Sequence, residues 1–135
     1  MNDQPTPMPV SQRIVQICLY LIAAIALLGG SVQMYLGEPE TTARLDNVHR
    51  FMAGVYFSCG LISFWAASTV RKHNTLVFLI ALAAFTGGLG RLLSMSTVGI
   101  PEPAGLWLGY LTPELLVPVI IVVAQWMTNR KLAEK

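Results

Sequence analysis

The sequence predicts an all-α membrane protein, an antiparallel bundle of four transmembrane helices. Of its 135 residues, 54% are hydrophobic and only 12% are charged, whereas soluble domains carry about 25% charged residues. Four apolar stretches of about 20 residues recur along the chain, and a helix of that length, rising about 1.5 Å per residue, crosses a hydrocarbon core of about 30 Å. Composition and span length together therefore predict the class.

The predicted spans lie within a membrane domain, residues 13–129, that is flanked by two short tails. The spans cover residues 14–36, 50–70, 75–96 and 106–127. The fourth span starts either near residue 106 or, after a separate interfacial helix, at residue 113. We expect a disordered cytosolic tail over residues 1–12, where prolines alternate with polar residues, and a basic cytosolic tail over 130–135. The first span is too long for the apolar region of a cleavable signal, so we expect it to be retained.

The distribution of basic residues predicts that both termini face the cytosol. Lysine and arginine are more frequent in cytosolic loops than in exported ones. On the side of the termini lie Arg13, Arg71, Lys72, Arg130, Lys131 and Lys135, and on the other side lie Arg44, Arg50 and Arg91. The larger group marks the inside, which gives an N-in, C-in topology.

Helix 1 presents a face of small residues that ends in an amide. This face is formed by Ala23, Ala26, Gly30 and Gln33. Small residues allow two helices to approach closely in lipid, so we expect the alanines and the glycine to pack against another helix. Gln33 needs a partner or the interface near the outer end of the span, which makes it a candidate site residue.

Helix 2 begins with a polar group. Asp46 is the predicted N-cap, because a carboxylate accepts hydrogen bonds from the unpaired amides at the start of a helix. Arg50 follows at ion-pair spacing, and Asn47 shares its face. Two interpretations stay open: a cap with an interfacial ion pair, or one wall of a binding site.

Helix 3 contains the most informative stretch, residues 86–94, which places Arg91 in an apolar run. A charge at the bilayer centre costs roughly 3 to more than 10 kcal/mol, so Arg91 needs a partner, a cavity or water. Gly87 and Ser94 share its face, and we expect this face of small residues to point into the bundle. The alternative without function is that Arg91 extends to the outer interface.

Helix 4 supplies the expected partner. Glu114 stands at the start of its most apolar part, and Pro118 removes the amide that would bond the carbonyl of Glu114. We therefore predict a kink at Pro118. Trp107 and Tyr110 are predicted to belong to the aromatic belt at the outer interface.

Polar side chains from all four helices are thus predicted to lie in the outer half of the membrane. These candidate ligand-binding residues are Gln33, Asp46, Asn47, Arg50, Arg91, Ser94 and Glu114. We expect Arg91 to pair with Glu114, because an unpaired buried ion is far more costly than a pair. One carboxylate, Glu114, cannot fill the donors of two arginines. Guanidinium donors therefore remain for a small anionic or polar ligand or a lipid head group. Such a pocket would open outward or sideways to lipid.

Signatures of catalysis are lacking, and we expect no enzyme activity, no metal and no cofactor. His49 with Asp46 would give a metal only two ligands, fewer than the usual three or four. No serine or cysteine has an adjacent histidine as base, although Glu114 stays open as a lone acid or base. The net charge of +2 does not favour nucleic acid as a partner.

Several of these positions also resemble a known family. The motifs are Asp46-Asn47 with Arg50-Phe51 and Gly54, Gly87-Gly88 with Arg91, Gly99-Ile100-Pro101, and Glu114 with Pro118. They are similar to those of small bacterial four-helix membrane proteins grouped as a domain of unknown function. The resemblance implies a bacterial inner-membrane location and the same polar positions, but no activity.

Three functions follow, in order of preference. The first is a non-enzymatic multi-pass protein of the inner membrane whose outer-side cluster binds a ligand or a lipid head group. The second is an accessory or structural subunit, in which the cluster locks the bundle and the glycine faces contact a larger complex. The third is a small transporter, which would require a homo-oligomer. Membrane lipids are the expected partners in each case.

Overall fold

In a computed structural model, residues 7–134, which the structure describes, form four long helices. They are α1 (Val10–Leu36), α2 (Ala43–Ser68), α3 (Asn74–Val98) and α4 (Ala104–Ala133). Each is long and apolar enough to cross a membrane. The predicted all-α class with four membrane-spanning helices is confirmed. The side on which the termini lie and the kink at Pro118 stay predictions.

The starts of α1 and α2 differ from what the sequence predicts, whereas the start of α4 agrees with one of the two alternatives. Helix α1 begins at Val10 and takes in residues 10–12, which the sequence assigned to the tail; residues 1–6 of that tail lie outside the described residues. Asp46 is not the N-cap of α2. Thr42 takes that position, its Oγ1 accepting from Leu45 N at 3.3 Å. Helix α4 is continuous through Pro113 and Pro118, which corresponds to the first alternative for its start.

The helices group into two compact units. The α1/α2 unit comprises Gln16–Thr69, and the α3/α4 unit comprises the residues up to Val15 and from Val70 onward. Each unit is an antiparallel helix pair, because residues near the start of one helix contact residues near the end of the other. A short loop joins the two helices in each case, as in other antiparallel helix pairs.

Glycines set the distance between the two helices of the α1/α2 unit. A Cβ on Gly30 would lie 2.8 Å from Phe57 N and 2.9 Å from Ala53 O, both backbone atoms of α2. A Cβ on Gly60 would lie 2.9 Å from Leu27 N of α1. The predicted face of small residues on α1 is therefore buried through Gly30, while Gln33, at its outer end, is exposed. Close backbone approach is the packing mode expected in lipid.

In the α3/α4 unit, hydrogen bonds between polar side chains lie at the helix ends opposite the Arg91 region, one of them buried and two partly buried. Ser11 and Thr128 share a buried hydrogen bond of 2.7 Å between their hydroxyl oxygens. Gln125 Nε2 donates to Asn74 Oδ1 at 2.7 Å and to Asn129 Oδ1 at 3.2 Å. The first turn of α1 thus places Ser11 against Thr128 of α4.

Replacing Gly30 by alanine is expected to destabilise the protein by about 1 to 3 kcal/mol, because backbone atoms of α2 would have to move. Gly29→Ala is the matched control: its Cβ would lie 3.4 Å from Tyr56 Cε1, an ordinary contact. Both variants gain helix propensity equally. Thermal unfolding in detergent, followed by circular dichroism, compares them. Equal unfolding temperatures would contradict the packing described here.

Candidate functional site

The centre of the candidate site is an ion pair between α3 and α4. Arg91 Nε donates to Glu114 Oε2 at 2.7 Å. The two side chains are partly buried, with 32% and 19% of their surface exposed. The expected Arg91–Glu114 contact is thus present in the structure. A short charge-assisted bond of this kind is among the stronger hydrogen bonds in proteins.

A glycine brings the two helices together at this pair. A Cβ on Gly88 would lie 2.8 Å from Leu115 Cδ2 and 3.3 Å from Glu114 Cβ, so the absence of a side chain lets α4 approach here. The close approach falls at Gly88. The sequence analysis expected it on the face of Gly87. Gly87 is exposed and has no atom of the described chain within 4 Å of a built Cβ. The helices therefore contact each other one residue further along than predicted.

Two aromatic rings accompany the arginine. The Cζ atom of Arg91 lies 5.8 Å from the centroid of Trp107 and 5.9 Å from that of Tyr110, within cation–π range. The rings meet edge to face, with centroids 6.2 Å apart, and Trp107 Nε1 donates to Glu102 O at 3.3 Å. Sequence analysis assigned both only to an interfacial belt. Their spacing of three and four residues, continuing to Glu114, is the signal for a shared helix face.

The guanidinium group of Arg91 is only partly used by the protein. Its Nε carries the bond to Glu114, and within residues 7–134 neither Nη nitrogen donates a hydrogen bond. The second oxygen of Glu114, Oε1, likewise accepts none from the described residues. A single hydrogen bond therefore joins Arg91 and Glu114, and both side chains can form further hydrogen bonds.

Arg50 in the α1/α2 unit donates hydrogen bonds from all three of its nitrogens. Its Nε donates to Asp46 Oδ2 at 2.9 Å. Its Nη groups donate to the carbonyls of Met34, Tyr35 and Leu36 at the end of α1. These are carbonyls that a helix end leaves without partners, and a cation there also complements the helix dipole. The geometry gives Arg50 the role of a clasp between the end of α1 and the start of α2.

The loop between these helices is built into the same clasp. Asp46 Oδ1 accepts from Glu38 N at 2.7 Å. Gly37 has φ +64°, the left-handed conformation in which glycine ends a helix without steric cost. A Cβ on Gly37 would collide with both Arg50 and Asp46. The short loop, the glycine and the ion pair therefore depend on one another.

The remaining candidates make no such contacts. Gln33, Asn47 and Ser94 are exposed. The structure brings Arg91 together with Glu114, and Asp46 together with Arg50. A single cluster of all seven residues stays a prediction, as does the ligand-binding role of each. Within the described part of the chain, no group of three or more His, Cys, Asp or Glu side chains could hold a metal ion.

Sequence analysis missed the polar layer at the other end of the α3/α4 unit. Gln125 is only 2% exposed, and its Oε1 is buried without a partner among the described residues. Asn74, the first residue of α3, and Asn129, in the last turns of α4, look like ordinary surface residues in a sequence. The structure shows that both asparagines accept hydrogen bonds from Gln125.

The fold and these contacts define a small multi-pass membrane protein with a partly buried ion pair between α3 and α4. A family model described as a domain of unknown function (DUF4345) matches residues 12–125, and the chain belongs to this family. The resemblance to a family of unknown function is thereby confirmed, whereas its bacterial origin stays an expectation. No curated protein and no solved structure matches the chain.

Replacing Arg50 by alanine is expected to lower stability by about 1 kcal/mol, because the last carbonyls of α1 lose their donor. Arg44→Ala is the control, since Arg44 is exposed in the first turn of the same helix. Hydrogen exchange at the end of α1 and thermal unfolding report the difference. If both variants keep the protection and unfolding temperature of the original protein, the clasp has no structural role.

Proposed function

We propose that this protein binds a small anionic or polar ligand, or a lipid head group, at the Arg91–Glu114 pair. The observation that carries this proposal is the partly used guanidinium group of Arg91. The protein acts without catalysis, as a multi-pass protein of a bacterial inner membrane. Glu114 as a lone acid or base is the one catalytic alternative that its chemistry leaves open.

The charge of Arg91 lies in an unfavourable position. Arg91 lies within a helix that is apolar enough to span a membrane, where unpaired donors are costly. Glu114 neutralises the charge but accepts through one oxygen only. The two Nη groups can then be satisfied by water or by the oxygen atoms of a ligand. Guanidinium groups bind carboxylate and phosphate through two parallel hydrogen bonds, which favours an oxyanion.

The contrast with Arg50 supports the same choice. Arg50 also has an acidic partner, Asp46, but carbonyls of α1 bind both of its Nη groups. A structural arginine has this pattern, because each of its nitrogens already has a protein acceptor. Arg91 instead has two aromatic rings beside it and open Nη groups. The ligand-binding proposal therefore centres on Arg91 and Glu114, and Asp46 and Arg50 support the fold.

A second candidate function is an accessory subunit of a larger membrane complex, or a homo-oligomer. Gly105 and Gly109 form a small-xxx-small pair at the start of α4, and no atom of the described chain lies within 4 Å of a Cβ built on either. Such pairs are common where membrane helices associate. Transport is a third candidate and requires the oligomer, since residues 7–134 of a single copy supply four helices to form a path.

Native mass spectrometry of protein extracted gently from its own membrane tests the ligand. The original protein is expected to retain a small-molecule mass that Arg91→Ala loses, because the ligand's oxyanion loses its donors. Arg44→Ala, which removes an exposed arginine, is expected to retain it. Circular dichroism checks that both variants stay folded.

Two results would overturn the proposal. One is an original protein that carries no small molecule. The other is retention of the same mass by folded Arg91→Ala. A protein that instead co-purifies with another polypeptide, with no small molecule bound, would favour the accessory-subunit function.

A further inference from the structure

We infer that the ligand at the Arg91–Glu114 pair is a zwitterion that carries a phosphate and a primary ammonium group, the chemistry of an ethanolamine phospholipid head group. This inference rests on the proposed function and specifies its ligand class. It follows from two features of the pair: its charge balance and the way its two side chains meet. Each feature alone favours a ligand with both signs of charge.

The charge balance comes first. Arg91 and Glu114 form a one-to-one ion pair, and both side chains are partly buried in helices apolar enough to span a membrane. Adding a simple anion would leave an uncompensated negative charge at a site of low dielectric constant, which is costly. Adding a zwitterion leaves the site neutral. A neutral ion pair therefore selects against ligands with a net charge, although its arginine still binds an oxyanion.

The contact geometry gives each charge of the zwitterion its partner. Arg91 meets Glu114 through Nε and Oε2 at 2.7 Å, and not through two parallel bonds. The Nη groups of Arg91 remain for a phosphate, and Glu114 Oε1 remains for a donor. A primary ammonium donates hydrogen bonds to a carboxylate, whereas a trimethylammonium has no N–H to donate. This difference favours ethanolamine over choline head groups.

Two aromatic rings lie beside the arginine. Trp107 and Tyr110 both lie within about 6 Å of the guanidinium carbon. Tryptophan and tyrosine also favour the membrane–water interface, where phospholipid head groups lie. The interfacial position of these rings is thus consistent with a phospholipid head group as the ligand.

The test is native mass spectrometry of the protein in nanodiscs with equal amounts of ethanolamine, choline and glycerol phospholipids of matched acyl chains. The original protein is expected to retain the ethanolamine lipid about tenfold over each of the others, the ratio expected for one charge-assisted hydrogen bond. Glu114→Gln keeps an acceptor for Arg91 but removes the negative charge. It is expected to shift the preference to the anionic glycerol lipid.

The control is Glu40→Gln, which removes an exposed carboxylate that makes no hydrogen bond or ion pair within residues 7–134. It is expected to keep the ethanolamine preference. Adding free phosphoethanolamine distinguishes the source of the ligand: displacement of the lipid shows that the head group alone is recognised.

The outcomes separate the two proposals. A preference of the original protein for the anionic lipid, or equal retention of choline and ethanolamine lipids, would overturn the zwitterion and leave the proposed function standing. If Arg91→Ala retains every lipid as well as the original protein does, both fall. An unchanged preference in folded Glu114→Gln would also overturn the zwitterion.

Discussion

The ion pair between Arg91 and Glu114 places two charges inside helices that are otherwise apolar. Its 2.7 Å contact is possible because Gly88 lets α4 approach α3 at that level. Neither charge would be tolerable alone in lipid, so the pair, the glycine and the position of the two helices are mutually dependent. The chemistry proposed for this protein uses what the pair leaves unfilled.

The two units use an arginine in two different ways. In the α1/α2 unit, Arg50 binds Asp46 and three helix-end carbonyls, and this fixes a six-residue connection between two long helices. In the α3/α4 unit, Arg91 has one carboxylate and two neighbouring rings. Every nitrogen of Arg50 has a protein acceptor, whereas the two Nη groups of Arg91 have none among the described residues. Counting partners thus separates a structural arginine from a candidate binding residue, although both are charged and lie near acidic groups.

Sequence predicted the four spans and the Arg91–Glu114 contact, because span length and the cost of a lone charge leave few alternatives. It did not predict details that depend on the rotation of one helix against another. The close approach falls at Gly88 and not on the face of Gly87, and Thr42 caps α2 in place of Asp46. Helical periodicity identifies a face only to within about one residue. The aromatic neighbours of Arg91 and the partners of the buried Gln125 also depend on helix rotation, so periodicity did not predict them.

The most direct measurement of the central claim, that the open edge of Arg91 binds an oxyanion, is the dipolar coupling between ¹⁵N and ³¹P in solid-state NMR. The protein would carry ¹⁵N-labelled arginine in bilayers of ethanolamine phospholipid. Subtracting the spectrum of Arg91→Lys isolates the Arg91 guanidinium signal. The account predicts that phosphorus strongly dephases the Nη signal in this difference. A difference signal without dephasing would show that no phosphate contacts Arg91 and would contradict it.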